Sequence, residues 1–321
     1  MDAAIREDLE KVFGFERMRI EEIYGGWLNR KWKIMTADGI FLVKQFSRKR
    51  FGDRQLLQIR DALIRQTAVR GDGVPCPAIL YADGQPMRFL DDDEKTVYMV
   101  MTFCKGHMET PETVTAEQMQ SLGETCGKMH RAFRRFSPDG VKGYPLDSER
   151  LLDELWKNFR ARRNDLSPSA EYHAAVAAQE KILASLSPSF FERLPKGIAH
   201  EDFSPDNLLF DAHGVTAVLD FDRCCCSFRY HDIGRALLSL AWNRGILDLE
   251  KTRAFLDGYA AYLPVAPADV PDILRITWCI EAPWWIRPEF FADCSPKVAR
   301  FRDEILWLTE NWFVPDAFIL R

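Results

Sequence analysis

His200-Glu-Asp-Phe-Ser-Pro-Asp-Asn207 runs straight into Leu208-Leu-Phe210, a turn at Asp211-Ala-His-Gly214, and Val215-Thr-Ala-Val-Leu-Asp-Phe-Asp222. Two short apolar runs flanking a glycine-containing turn predict a β-hairpin. Such a hairpin brings Asn207, at the start of its first strand, near Asp220 at the end of its second. Asp202 then lies on the loop leading in. The chemistry these residue types suit is phosphoryl transfer. One carboxylate orients an attacking hydroxyl and takes its proton, while an amide oxygen and a second carboxylate hold the magnesium that bridges nucleotide phosphates. Magnesium prefers hard oxygen ligands and takes only one or two carboxylates from the protein. Asp202, Asn207 and Asp220 supply these parts in that order.

His200-Glu-Asp-Phe-Ser-Pro-Asp-Asn207 resembles the HxDxxxxN catalytic loop of the aminoglycoside phosphotransferase and choline kinase group. Leu219-Asp-Phe-Asp222 resembles that group's metal-binding segment, and His231-Asp-Ile-Gly234 its following helix start. Within the group the chain is most similar to the bacterial branch of CotS-like spore-coat proteins and homoserine-kinase-like enzymes. The loop alone recurs by chance in roughly one chain in twenty-five of this length; the hairpin and the second motif at the right distance make the match far more specific. The resemblance implies an α+β, protein-kinase-like two-lobe fold, with a small antiparallel-sheet lobe, a larger helical lobe and ATP in the cleft. The expected division is residues 1–101 for the nucleotide and 102–321 for catalysis and the acceptor.

The whole chain is consistent with that reading. It has 321 residues, 47% hydrophobic and 28% charged, an ordinary globular composition long enough for two domains. A formal net charge of -5 offers no basic field for nucleic acid. The charged N-terminus has no secretory apolar region, and no apolar run is long enough to span a membrane. A cytoplasmic location is the default expectation. Eight cysteines show no paired CxxC spacing, and Cys224-Cys-Cys226 does not match spaced zinc ligands. Reduced thiols are the plain expectation.

Towards the N-terminus, residues 2–14 predict a short amphipathic helix. Ile20–Tyr24, Lys31–Thr36 and Ile40–Phe46 predict three antiparallel strands. Between the first two stands Gly25-Gly-Trp-Leu-Asn29. By itself Gly25-Gly26 is a hairpin turn. GGWLNRKWKI also resembles the family's GGxxNxxY/W stretch, and the resemblance makes Gly25, Gly26 and Asn29 part of a phosphate-covering loop, in which glycine lets backbone N–H groups approach closely. Lys44, inside the third strand, is the implied phosphate contact. One departure stands out. Kinase-like folds place a glutamate on the next helix to pair with that lysine, yet the helix predicted over Asp53–Val69 contains none. Asp61 is the nearest acidic candidate. A strand at Thr96–Phe103 leads into the implied interlobe hinge at Thr102 and Cys104, where family members read adenine. Asp91–Glu94 reads as a solvated acidic turn.

Beyond the hinge, helices are predicted at 115–133, 149–163, 170–186, 232–243, 248–262, 268–280 and 296–311, with a Pro/Gly-rich loop over 137–148. Leu122–His130 resembles the family's LGxxLAxLH segment, and His130 reads as a packing residue. His200 is expected to support the loop. Asp232 reads either as an N-cap or as the acid that braces it. Asp222 is a second possible metal contact. Thr277-Trp-Cys-Ile-Glu-Ala-Pro-Trp-Trp285 suggests a cation pocket in which Glu281, Trp278, Trp284 and Trp285 receive an amine-bearing acceptor; tryptophans at this spacing are more often core. The expected activity is ATP- and Mg2+-dependent phosphorylation of a small-molecule hydroxyl. A non-catalytic coat-like protein and a protein kinase are the alternatives. The complete set Lys44, Asp202, Asn207 and Asp220 speaks against the first, and the short segment between Asp222 and Asp232 against the second.

Overall fold

A computed structural model describes residues 1–24, 29–90, 96–137, 147–167, 169–292, 295–314 and 318. Gly25 and Gly26, the acidic turn 91–94 and most of the 137–148 loop lie outside the described residues. The chain divides into two units, Met1–His107 with Thr216–Arg223, and Met108–Val215 with Cys224–Arg321.

The first unit is built on one antiparallel sheet. Its strands are β1 (Arg19–Ile23), β2 (Arg30–Thr36), β3 (Gly39–Phe46), β4 (Ile79–Leu80), β5 (Arg88–Leu90) and β6 (Thr96–Thr102). The order is β1-β2-β3-β6-β4, with β5 also paired to β6. Side chains alternate across a strand, and β6 shows the result. Val97, Met99 and Met101 pack with α2 (Asp53–Gly71) through Leu56, Ile59 and Leu63. Tyr98 and Val100 face the other way, towards Ile5 and Leu9 of α1 (Ala3–Phe13). The Asp8 carboxylate fastens α1 by accepting from Arg88 at 2.8 Å and from the Tyr98 hydroxyl at 2.5 Å. On β3, Lys44 shares the α2 face with Leu42 and Phe46, which pack in that core. It is only 2% exposed.

The second unit is mainly helical: α3 (Ala116–Phe133), α4 (Ser148–Arg162), α5 (Ala170–Ser185), α6 (Pro188–Glu192), α7 (Arg229–Leu240), α8 (Leu249–Ala260), α9 (Val270–Trp285), α10 (Pro288–Ala292) and α11 (Pro296–Asn311). Glycines set its closest contacts. A Cβ on Gly123 of α3 would lie 1.9 Å from the Phe255 carbonyl oxygen, and one on Gly258 of α8 would lie 2.1 Å from that of Gln120. The two backbones therefore touch where neither helix has a side chain. Likewise a Cβ on Gly234 of α7 would meet Thr277 Oγ1 of α9 at 2.0 Å.

Two short strands that the sequence does not predict position the catalytic segment. β7 (Lys196–Ala199) pairs antiparallel with Cys225–Phe228, Ala199 opposite Cys225. The loop beginning at His200 leaves the end of β7, and α7 starts directly after the partner strand. The start of α7 is thereby carried beside the loop. The expected hairpin is present, with strands at Leu208–Phe210 and Val215–Val218. Its turn is closed by the Asp211 N–H donating to the Gly214 carbonyl at 2.9 Å. Among the described residues no helix is long and apolar enough to cross a membrane.

Candidate active site

In the second unit the loop His200–Asn207 is fixed from both sides. The N–H groups of His200 and Glu201 donate to the two carboxylate oxygens of Asp232, at 2.7 and 2.9 Å. At the other end the Asn207 side-chain amide donates to the Asp202 carbonyl at 2.9 Å, from a single 3-10 turn over Pro205–Asn207. The Asp202 and Asn207 side chains are themselves half-buried. Asp232 is completely buried. Burial would raise its pKa, but the hydrogen bond and charge of His130, 2.8 Å away, hold it below the usual carboxylate range. His130 in turn meets the Tyr259 hydroxyl at 3.0 Å. Asp232 thus braces the loop through two backbone groups rather than capping its own helix.

In the first unit the Lys44 ammonium donates to Asp220 at 2.8 Å and to Asp222 at 2.6 Å. Burial alone would lower the lysine pKa; the charges of Asp222 and Asp220 more than reverse this, and it ends raised. Asp222 is pushed up to about 6, by burial first and by the neighbouring Asp220 charge, against the pull of Lys44. Its Oδ1 is buried without a hydrogen-bond partner. Asp220 adopts a left-handed backbone, φ 58°, as does Glu201 at φ 64° in the loop. Non-glycine residues held there cost of order 1–3 kcal/mol and cluster at functional sites.

Lys44 is not held by Asp61. That carboxylate sits on the partly exposed side of α2 and pairs with its neighbour Arg60 at 3.2 Å. The buried face of α2 is Leu56, Ile59, Leu63 and Gln66, so the helix offers the lysine no acid; the carboxylates arrive instead from the segment after the hairpin. Asn29 accepts from the Ser47 N–H at 3.3 Å. Thr102 exchanges two 2.9 Å hydrogen bonds with Ala78, through its N–H and through its hydroxyl oxygen. Cys104 is half-buried, and burial raises its thiol pKa.

The cation pocket expected around Glu281 is corrected. Glu281 is buried, and both of its oxygens are occupied: Oε1 accepts from His231 at 3.1 Å, Oε2 from Arg235 at 2.5 Å and from the Trp285 indole at 3.1 Å. Arg235 and His231 bring its pKa down to about 2 against the effect of burial. Trp278 is core, 1% exposed, and donates to Thr309. Of the four residues only Trp284 is exposed, with Arg287 over its ring. A carboxylate already neutralised by an arginine has little charge left for a substrate cation.

His231, Arg235, Glu201 and Glu304 have no expected role in the sequence reading, yet they form one buried network with Glu281. Among the described residues, Glu201, His231 and Asp232 place ligand-type atoms within 4.8 Å of one another. Both nitrogens of His231 and both oxygens of Asp232 already have protein partners, which makes this a closed ion cluster rather than a metal centre. At Asp222 one carboxylate oxygen lacks a hydrogen bond beside the part-exposed carboxylate of Asp220. That donor chemistry fits magnesium.

The profile of the phosphotransferase enzyme family matches residues 19–266. Homoserine kinase from Allorhizobium ampelinum is 28% identical over 262 residues, 79% of this chain and 75% of that protein. Homoserine kinase from Hyphomonas neptunium is 29% identical over 206 residues, 61% and 60% of the two chains. Among solved structures, a microcompartment-associated aminopropanol kinase superposes with TM-score 0.67 at 17% identity, covering 100% of both chains. An amicoumacin kinase in complex with AMP-PNP, Ca2+ and Ami gives 0.66 at 14% identity, covering 96% and 93%. Choline kinase LicA from Streptococcus pneumoniae gives 0.59 at 14%, covering 95% and 98%. The α+β, kinase-like fold expected from the sequence is the fold of these structures.

Proposed function

The chain belongs to the phosphotransferase enzyme family, and from that premise we propose that it transfers the terminal phosphoryl group of ATP to a hydroxyl of a small, amine-bearing molecule. The observation that carries this reading is the cluster in which the buried Lys44 ammonium faces the carboxylates of Asp220 and Asp222, the latter with an oxygen that lacks a hydrogen bond. Asp220 and Asp222, with the amide oxygen of Asn207, are the hard ligands that would hold Mg2+. Bound there, the ion would supply positive charge to offset the charge that develops on the phosphates.

The protein's own side chains do the rest. Lys44 turns a buried ammonium to the phosphates, with Gly25, Gly26 and Asn29 as the covering loop and Thr102 and Cys104 beside the base. Asp202 accepts the proton of the attacking hydroxyl, on a loop whose backbone is fixed before substrate arrives. Nucleotide handling falls to residues 1–101, catalysis and acceptor binding to 102–321. ATP supply favours the cytoplasm. Homoserine, aminopropanol and choline, named in the relatives, all combine a hydroxyl with an amine or quaternary ammonium; this supports an acceptor of that class.

The test is ADP release with ATP and magnesium across homoserine, aminopropanol, choline, an aminoglycoside and their neutral isosteres. One amine-bearing acceptor should exceed its isostere. Asp202→Asn should then lower turnover about 10²–10⁴-fold, the usual contribution of a general base. No ADP release with any acceptor, or a wild-type rate in Asp202→Asn, would sink the reading.

A further inference from the structure

The residue immediately before Asp202 is tied down twice. Glu201 donates its N–H to Asp232 at 2.9 Å, and its carboxylate accepts from His231 Nδ1 at 3.0 Å. The other ring nitrogen of His231 reaches Glu281 of α9 at 3.1 Å. From there the chain continues through Arg235 of α7 to Glu304 of α11. The signs alternate at every link, and every member is buried. An imidazole donates to carboxylates at both nitrogens only when it carries the second proton. In agreement, the two glutamates lift the pKa of His231 to about 10, against the opposing effect of burial.

The placement is specific. Asp232 fixes the loop by its backbone alone, and a backbone anchor leaves the peptide before Asp202 free to rotate about the torsions that aim its side chain. Glu201 removes that freedom. Its left-handed backbone is held from the side-chain end, by a partner anchored in three helices. We infer that His231 is a positioning residue for Asp202, acting through Glu201, with Glu281, Arg235 and Glu304 keeping the imidazolium in place. The proposal rests on Asp202 being the base. Nothing in it requires His231 to touch substrate.

Positioning separates from mere stability at Glu201. Glycine adopts φ 64° without strain, so Glu201→Gly keeps the loop backbone while deleting the clamp. The experiment is steady-state kinetics of the full chain at saturating ATP and magnesium. The acceptor is whichever of homoserine, aminopropanol and choline releases most ADP. The variants are Glu201→Gly, Glu201→Gln, His231→Gln and the Glu201→Gly/His231→Gln double, with Asp202→Asn as reference. Misplacing a reacting group by an ångström costs on the order of 10²-fold. Glu201→Gly and His231→Gln should each lower kcat about 10–100-fold, with KM for ATP little changed. The double variant should be no slower than the worse single, because both remove one device. Should His231→Gln fail to fold, the two Glu201 variants decide the matter. A wild-type kcat in Glu201→Gly while Asp202→Asn is slow would overturn the positioning role and leave the kinase reading intact. Additive losses in the double would overturn it as well. A wild-type rate in Asp202→Asn would remove both.

Discussion

Lys44 and His231 are both buried cations between two carboxylates, and they end differently. Around His231 the cluster is buried throughout: Glu281 passes its second oxygen to Arg235 and Trp285, and Arg235 goes on to Glu304, whose other oxygen lies 3.9 Å from Arg300 without a hydrogen bond. Around Lys44 it stays open. Asp220 keeps 28% side-chain exposure, with the part-exposed Lys31 3.9 Å from it, and Asp222 has an oxygen without a hydrogen-bond partner. A closed cluster can only hold its surroundings in shape. An open one has bonding capacity left for an ion or a phosphate. Similar residue types thus serve as brace or as binding site according to whether solvent and its solutes can reach them.

The contrast is sharpest in what removal of one charge does. Glu281→Gln breaks a closed buried network and should cost about 3–5 kcal/mol, the usual loss when one partner of a buried pair goes. Urea unfolding measures it, and magnesium, whose proposed ligands the variant keeps, should leave its deficit against wild type unchanged. Lys44→Met should cost less, since Asp220 and Asp222 are partly solvated and can take up a proton or an ion. Its unfolding midpoint should climb back with millimolar magnesium, which stabilises whatever form binds it. Equal, magnesium-insensitive losses in the two variants would erase the distinction.

A gentler break uses pH. His231 has a raised folded pKa, about 10, so its contribution is fully present below the unfolded value near 6.5 and is lost as pH rises through 10. Glu281 has a depressed one, about 2; its contribution is present above the unfolded value near 4.5 and is lost as pH falls through 2. Between the two unfolded values, about 4.5 and 6.5, the network should contribute a flat term. The stability difference between wild type and His231→Gln should accordingly shrink as the buffer passes from pH 8 to 11. A difference that stays constant over that range would mean the ring is not charged. The smallest expected effect is at Asp61. Asp61→Ala removes an exposed pair with Arg60 and should change stability by no more than about 0.5 kcal/mol, with unchanged turnover.

Asp202, Asn207 and Asp220 stand out in the sequence because they lie within one loop and hairpin, where spacing alone nominates them. The strands around Lys44 are equally legible, since period-two alternation marks them. The partner of Lys44 is harder to read. It is supplied from 176 and 178 residues away, and no local pattern connects those positions. Glu201, His231 and Glu281 are hidden for the same reason, lying on a loop and two helices with no shared period. The β7 pairing was also illegible: Lys196-Gly-Ile-Ala199 is short, and the partner strand opens with two cysteines. Glu281 was visible, but a carboxylate among tryptophans reads as a cation site until the arginine beside it is placed.

The glycine contact between α3 and α8 has a kinetic consequence. These helices lie on opposite sides of the whole catalytic segment in sequence, so their docking closes a very long loop before any contact rewards it. At Gly123 and Gly258 no side chain stands between the two backbones, so the seam fits there only when the helices are in full register. Substitutions there should therefore act on the rate of refolding as well as on the final stability, and chains released before α8 is complete expose the bare glycine face of α3.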